Sequence, residues 1–230
     1  MSMVAGSCKF KPVGGMSNWD KPPTHLASTH AHHCQQRLYN YSRHGQEVLL
    51  DDQVLSAMAK WPQVPALSGW LRLDRRGAWL LRGRAVSHAN SLRYIAGNYQ
   101  GDDAGRFFFQ NGPQRVFVTL DATPWIYMLA ADGQLRTHTG LQVSQLLAAL
   151  IDEDSQLYLV SEHGVGLVHD GDLAALAEHM EGLNEQLEAR TSSTGTPLVL
   201  KWQQFNITVE WVSAHSLAGR FGFQKNPQCG

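Results

Sequence analysis

Apolar and polar positions alternate with a period of two over much of the chain beyond residue 66, and each run of alternation stops at a turn-forming group. Leu71 and Leu73 alternate with Trp70 and Arg72, Asp74-Arg75-Arg76-Gly77 follows, and Ala78-Trp79-Leu80-Leu81 returns. A four-residue turn ending in Gly suits a type I turn with a bulge, because Gly takes positive φ without a Cβ penalty. Arg106-Phe107-Phe108-Phe109, the turn Gln110-Asn111-Gly112-Pro113 and the run Arg115 to Leu120 predict a second hairpin, rich in aromatic and β-branched residues. Trp125 to Ala130 predicts a further strand, with a turn at Ala131-Asp132-Gly133. A Thr/Ser/Gly linker at Thr191–Thr196 precedes a last hairpin, Leu198–Trp202 and Phe205–Val212 around Gln203-Gln204.

Helical spacing is sparser. Ser87 is placed to cap a short helix carrying Leu92 and Ile95, closed by Gly97-Asn98. Val143, Leu146, Leu147 and Leu150 predict an amphipathic helix over Gln142–Ile151. Leu173, Leu176, Met180, Leu183 and Leu187 predict another from about Asp172, with Asp170 or Asp172 as its N-cap. Before the first hairpin only Asp51 to Lys60 reads as helix, with Val54, Leu55 and Met58 on one face and Pro62 and Pro65 closing it.

Laying the chain over itself with a shift of 50 residues brings Phe107-Phe108-Phe109 onto Leu157-Tyr158-Leu159, and Phe117-Val118 onto Leu167-Val168. The turn Gln110–Gln114 then falls on Val160–Gly164. These patterns predict an α+β, β-rich fold of two related strand-turn-strand/helix units plus a C-terminal hairpin. The expected organisation is a poorly ordered, His-rich leader over 1–65 with one short helix, a first unit over 66–135, a second over 136–190, and a hairpin and tail over 191–230 packing on the body. Whether the natural chain starts downstream, at Met16 or Met58, stays open.

Composition narrows the function classes. The 230 residues are 43% hydrophobic and 17% charged, with a formal net charge of −1. That balance disfavours wholesale binding to nucleic acid or anionic membrane, which calls for a basic surface. No stretch approaches the roughly 18 consecutive apolar residues of a membrane span. Cys8, Cys34 and Cys229 are an odd count with no CxxC, which fits neither a disulfide framework nor a zinc knuckle and points to the cytoplasm.

The stretches Gly69-Trp70-Leu71-Arg72-Leu73-Asp74-Arg75-Arg76-Gly77-Ala78-Trp79, Asn98-Tyr99, Phe108-Phe109-Gln110-Asn111-Gly112-Pro113-Gln114-Arg115-Val116 and Asp121-Ala122-Thr123-Pro124-Trp125 are similar to an uncharacterised proteobacterial family of domains of unknown function. The similarity runs over about residues 66–180, with an echo at Arg220-Phe221-Gly222-Phe223. It implies a β-rich α+β fold with repeated motifs and a role in regulation or signalling, as does a second, more distant uncharacterised family. It carries no catalytic residues over.

The polar turn is the leading candidate site. Gln110, Asn111 and Gln114 bring carboxamides beside the guanidinium of Arg115, a set able to hold a carboxylate, a phosphate or a peptide backbone. The competing reading is structural: the carboxamides cap neighbouring backbone and Arg115 pairs with an acid such as Asp121. Trp79, Tyr99 and Trp125 are expected to offer an aromatic surface beside the turn. Arg72, Arg75, Arg76, Arg82 and Arg84 form a basic cluster that reads most simply as a solvated face. His25, His30, His32, His33, His44 and Cys34 are metal-ligating types, but nothing positions them, so neither metal nor cofactor is expected. Asp152-Glu153-Asp154 and Asp170-Gly171-Asp172 are better explained by turns and caps than by catalysis. No phosphate loop, nucleophile elbow or HExxH occurs.

The resulting expectation is a non-catalytic binding or regulatory module for a small anionic ligand or a protein partner, using Gln110, Asn111, Gln114, Arg115, Trp79, Tyr99 and Trp125. The alternative is a hydrolase or transferase with its site between the two units, Arg115 as anion clamp and a carboxylate such as Asp121 as base. The ligand's identity and the oligomeric state are not legible.

Overall fold

The computed structural model describes residues 52–60, 64–182 and 197–229. The His-rich leader up to residue 51, with its candidate metal ligands, lies outside them. Helix α1, Asp52–Lys60, forms where the apolar spacing predicts it. Val54 is buried on it while Leu55 is exposed, so the expected shared apolar face is split.

The first sheet contains β1 (Leu67–Leu73), β2 (Trp79–Leu81), β3 (Arg84–Ala85), β4 (Tyr99–Gly101), β5 (Phe107–Asn111) and β6 (Gln114–Leu120), in the order β3-β2-β1-β6-β5-β4. All its pairs are antiparallel except β1 with β6. Helix α2, Ala89–Gly97, connects β3 to β4. The residue before it is His88 rather than Ser87, and no side chain caps it.

The second sheet contains β7 (Trp125–Leu129), β8 (Leu135–Thr137), β9 (Leu146–Ile151), β10 (Leu157–Ser161), β11 (Gly164–Val168), β12 (Met180–Glu181), β13 (Val199–Trp202) and β14 (Phe205–Trp211). Its order is β12-β13-β14-β9-β10-β11-β7-β8, with β11–β7 and β14–β9 parallel. A 3-10 turn at Asp170–Asp172 and the short helices α3, Leu173–Ala177, and α4, Leu217–Phe221, complete the described elements. The fold is therefore α+β and β-rich. No described helix is long and apolar enough to cross a membrane.

Two helix expectations are corrected. Gln142–Ile151 is not a helix: Leu146–Ile151 is strand β9, hydrogen-bonded between β14 and β10. A strand covered on both faces is apolar throughout, and such a run mimics helical spacing over a short window. The helix expected from Asp172 ends at Ala177, Met180 enters a strand, and Leu183 and Leu187 lie outside the described residues. Asp172 is the N-cap residue by position, as expected, but its side chain makes no cap hydrogen bond. His169 accepts from the Gly171 N–H, Asp170 pairs with Arg76, and Asp172 accepts from the Leu129 N–H.

The hairpin turns explain themselves chemically. Asp74 Oδ1 accepts from the N–H groups of Arg76 and Ala78 at 2.9 and 2.7 Å. Asp102 does the same for Ala104 and Arg106, and Asp152 for Asp154 and Gln156. The fourth residue of each turn has positive φ: Gly77 at 79°, Gly105 at 74° and Ser155 at 59°. An acceptor side chain at the start and a left-handed residue near the end close the loop without orphaned donors.

Buried apolar side chains of both sheets form one cluster, from Leu71 and Trp79 through Trp125 and Leu150 to Leu200 and Phe223. The turn between β1 and β2 packs closely on the second sheet. A Cβ on Gly77 would lie 2.7 Å from Met128 Cε and 2.9 Å from His138 Cβ, so only Gly permits this approach. Beside it, Arg75 donates to Gln156 Oε1 at 3.1 Å and Arg76 clasps Asp170 Oδ2 at 3.0 and 2.7 Å. Most of the arginine cluster is thus engaged within the fold: Arg72 grips Asp121 and Arg82 lies over Trp70.

Candidate functional site

Gly112 and Pro113 are the whole loop between β5 and β6, with Asn111 opposite Gln114 and Gln110 opposite Arg115. Gly112 has φ 55°, the sign a two-residue hairpin loop needs at its first position, and proline fixes the second. The hairpin is therefore rigid where the candidate residues emerge.

Each candidate has a definite place. Gln110 is buried to 1% exposure; its Nε2 donates to Gly112 O at 2.8 Å, which fixes the amide orientation and leaves Oε1 buried with no donor. Gln114 Nε2 donates to Pro65 O at 3.0 Å and ties the hairpin to the segment before β1. Asn111 is exposed. Arg115 is exposed, and its guanidinium lies 4.7 Å over the ring of Phe108. The expected pair with Asp121 does not form. Arg72 takes both carboxylate oxygens of Asp121 at 2.6 Å, so Asp121 is engaged by a different arginine from the one expected.

The aromatic residues are not a surface. Trp79, Tyr99 and Trp125 are 3%, 2% and 2% exposed and meet where the two sheets pack. Trp79 and Tyr99 are 5.1 Å apart edge to face, and Tyr99 and Trp125 5.3 Å. Tyr99 pairs with Phe109, and successive strand residues face opposite sides. Gln110 and Arg115 therefore emerge on the face of the first sheet away from these rings. The seven residues split into a polar hairpin and a buried aromatic group.

The aromatic group encloses a residue that sequence reasoning missed. The His138 ring lies 5.2, 5.5 and 5.8 Å from those of Trp79, Tyr99 and Trp125. Its Nδ1 accepts from the Ile126 N–H at 3.3 Å, which assigns the proton to Nε2, and Nε2 is buried without an oxygen or nitrogen partner. Burial pushes its pKa down to about 3, so the ring is neutral. No motif in Arg136-Thr137-His138-Thr139 marks it; only the packing of distant strands does.

The second hairpin's counterpart turn has a structural role. Glu162 accepts from the Ser144 N–H and hydroxyl at 2.6 and 2.7 Å and from the Gln145 N–H at 3.2 Å, while His163 Nε2 lies 2.9 Å from Gln142 O. Behind it, the Tyr127 hydroxyl donates to Gly164 O at 2.7 Å and receives the Ser161 hydroxyl at 2.6 Å. Burial raises the Tyr127 pKa far above the ordinary tyrosine range. The two turns differ because they clamp different neighbouring segments. Among the described residues, no group of three or more His, Cys, Asp or Glu is arranged to hold a metal ion.

The chain belongs to the family DUF2944, described as "Protein of unknown function (DUF2946)", whose model matches residues 50–228. That bears out the resemblance to an uncharacterised family of domains. No curated protein matches. Among solved structures, the chain is similar to a DUF1285 family protein from Silicibacter pomeroyi DSS-3, at 15% identity and a TM-score of 0.44 over 73% of this chain and 91% of that one. A DUF1285 family protein from Shewanella baltica OS155 is similar at 17% identity and a TM-score of 0.36, over 47% of this chain and 91% of that one.

Proposed function

We propose that this protein is a non-catalytic binding module that holds a small anion, a carboxylate or phosphate, at the Gln110–Arg115 hairpin. The observation that carries the reading is the state of Arg115. Arg72, Arg76, Arg106, Arg136 and Arg220 each face a carboxylate within 2.8 Å. Arg115 has none among the described residues; it is exposed, and the Phe108 ring beneath it limits its rotamers. A guanidinium already held flat loses less entropy on forming a bidentate pair. The rigid loop at Gly112-Pro113 keeps Asn111 beside it as a second polar contact.

A cytoplasmic setting goes with this reading, supported by three scattered cysteines with no paired motif. So does an origin of the two sheets in related units. In each, a hairpin (β1–β2 or β7–β8) meets a three-stranded meander (β4–β5–β6 or β9–β10–β11) through a parallel contact. The Asp102 and Asp152 turns, and the hairpin ends Asn111–Gln114 and Ser161–Gly164, correspond at the same 50-residue shift. On this proposal β7 and β8 open the second unit, which moves Trp125 to Leu135 from the first unit to the second.

The experiment is a thermal-shift series with inorganic phosphate and citrate on the wild type, Arg115→Ala and Arg115→Lys. The expected result is a saturable rise in melting temperature for the wild type, a smaller one for Arg115→Lys and none for Arg115→Ala. Equal rises in all three would reject the site.

A further inference from the structure

The outer edge of the first sheet carries a cluster independent of the Arg115 hairpin. Strand β3 is the last strand there, and both its residues are exposed. Leu81 opposite Arg84 closes the two-residue Arg82-Gly83 loop, so Arg84 bonds inward, and the Val86 N–H also points inward to Trp79 O at 2.8 Å. By alternation, the Ala85 N–H and C=O point away from β2, where no described strand meets them.

The chemistry around this edge is uneven. Arg82 takes a positive φ of 49°, a conformation that Asn or Gly adopts at less strain, and its guanidinium lies 3.5 Å over the Trp70 ring. Trp70 and Leu81 are 40% and 48% exposed, among the few large apolar side chains left in solvent within the described residues. Arg82 and Arg84 have no carboxylate within ion-pair distance among the described residues. The molecule as a whole is close to neutral, so two unneutralised arginines beside an exposed tryptophan mark a local positive site. Tryptophan and arginine are also the residues that most often anchor protein interfaces.

We infer that β3 is a docking edge for an extended acidic segment of a partner protein, which adds to the sheet as a seventh strand. Ala85 supplies main-chain hydrogen bonds and Arg84 meets a carboxylate of the segment, while Arg82, at the hairpin tip and held over Trp70 of β1, adds positive potential to the edge. Main-chain pairing gives the register and the arginines select the charge, the division of labour found wherever a peptide extends a sheet edge.

The test uses the full chain and a synthetic peptide of about ten residues alternating Glu and Val, long enough to span the edge, followed by tryptophan fluorescence. Saturable, salt-sensitive binding is expected for the acidic peptide and none for a Lys/Val peptide of the same length. Arg84→Glu should weaken it by about tenfold or more, through reversal of the charge contact. Ala85→Pro, which removes the outward N–H, should weaken it as well. Arg115→Ala should leave it unchanged, which separates this edge from the anion site. Binding that is absent, or equally tight to Arg84→Glu, overturns the inference. So does binding of a short oligothymidylate in place of the peptide, which would make the edge a nucleic-acid contact.

Discussion

Gly77 and His138 lie so close that a Cβ on the glycine would sit 2.9 Å from the histidine's own Cβ. This contact joins the most distinctive turn of the first sheet, Asp74-Arg75-Arg76-Gly77, to the aromatic group at the centre of the molecule. It predicts that Gly77→Ala destabilises strongly, both through the positive φ and through the clash with Met128 and His138. A loss of about 2–4 kcal/mol is expected in urea unfolding. A loss below 1 kcal/mol, the scale of an ordinary surface change, would show that the sheets separate easily at this turn.

His138 makes stability depend on acidity. Its pKa in the folded protein is about 3, against an ordinary value of 6.5, so the unfolded chain binds a proton that the folded one excludes. The stabilisation is complete above pH 6.5 and is lost as pH falls toward 3, with a slope approaching ~1.4 kcal/mol per pH unit from this residue alone. His138→Phe should flatten that part of the stability–pH profile even if it lowers stability overall. An unchanged slope between pH 6.5 and 4 would place the imidazole in contact with water.

Asp152 is 1% exposed and accepts from the Asp154 and Gln156 N–H groups and the Tyr158 hydroxyl, the last at 2.8 Å. Asp152→Ala leaves these donors without their acceptor and should cost about 2–4 kcal/mol. Asp152→Asn keeps one carbonyl acceptor and should cost less, a difference measurable by chemical denaturation.

Tyr127→Phe tests the brace behind the second hairpin. It removes the hydroxyl between Ser161 and Gly164 in a fully buried setting, with an expected cost of about 1–3 kcal/mol. Hydrogen exchange should rise most at the amides of Ser161 to Gly164. Uniform exchange across the sheet would mean that the hydroxyl steadies no particular turn.

Much of the fold was legible because hairpins announce themselves locally. Alternation plus a turn residue at the right place identified β1–β2, β5–β6 and β13–β14, and Gly77 and Gly112 take the positive φ that their positions imply. Strand β9 was not legible, because Leu146 to Ile151 is apolar throughout and periodicity cannot separate a doubly covered strand from a helix. The candidate site was half legible. The hairpin carrying Arg115 lies where alternation predicts it, but the surface expected of Trp79, Tyr99 and Trp125 is a buried group. A Trp reads the same on either face of a sheet, and only the pairing of Tyr99 with Phe109 shows which side it takes. His138 was invisible because its neighbours come from β2, β4 and β7, far apart in sequence.

The anion site is tested most directly by following the side-chain Nε–Hε resonances of the arginines by NMR while citrate or inorganic phosphate is added. Arg115 should shift saturably, together with the backbone amides of Asn111, Gly112 and Gln114, while Arg72 and Arg76, already bonded to Asp121 and Asp170, stay in place. A shift spread over all exposed arginines in proportion to salt, or none at Arg115, would contradict the account.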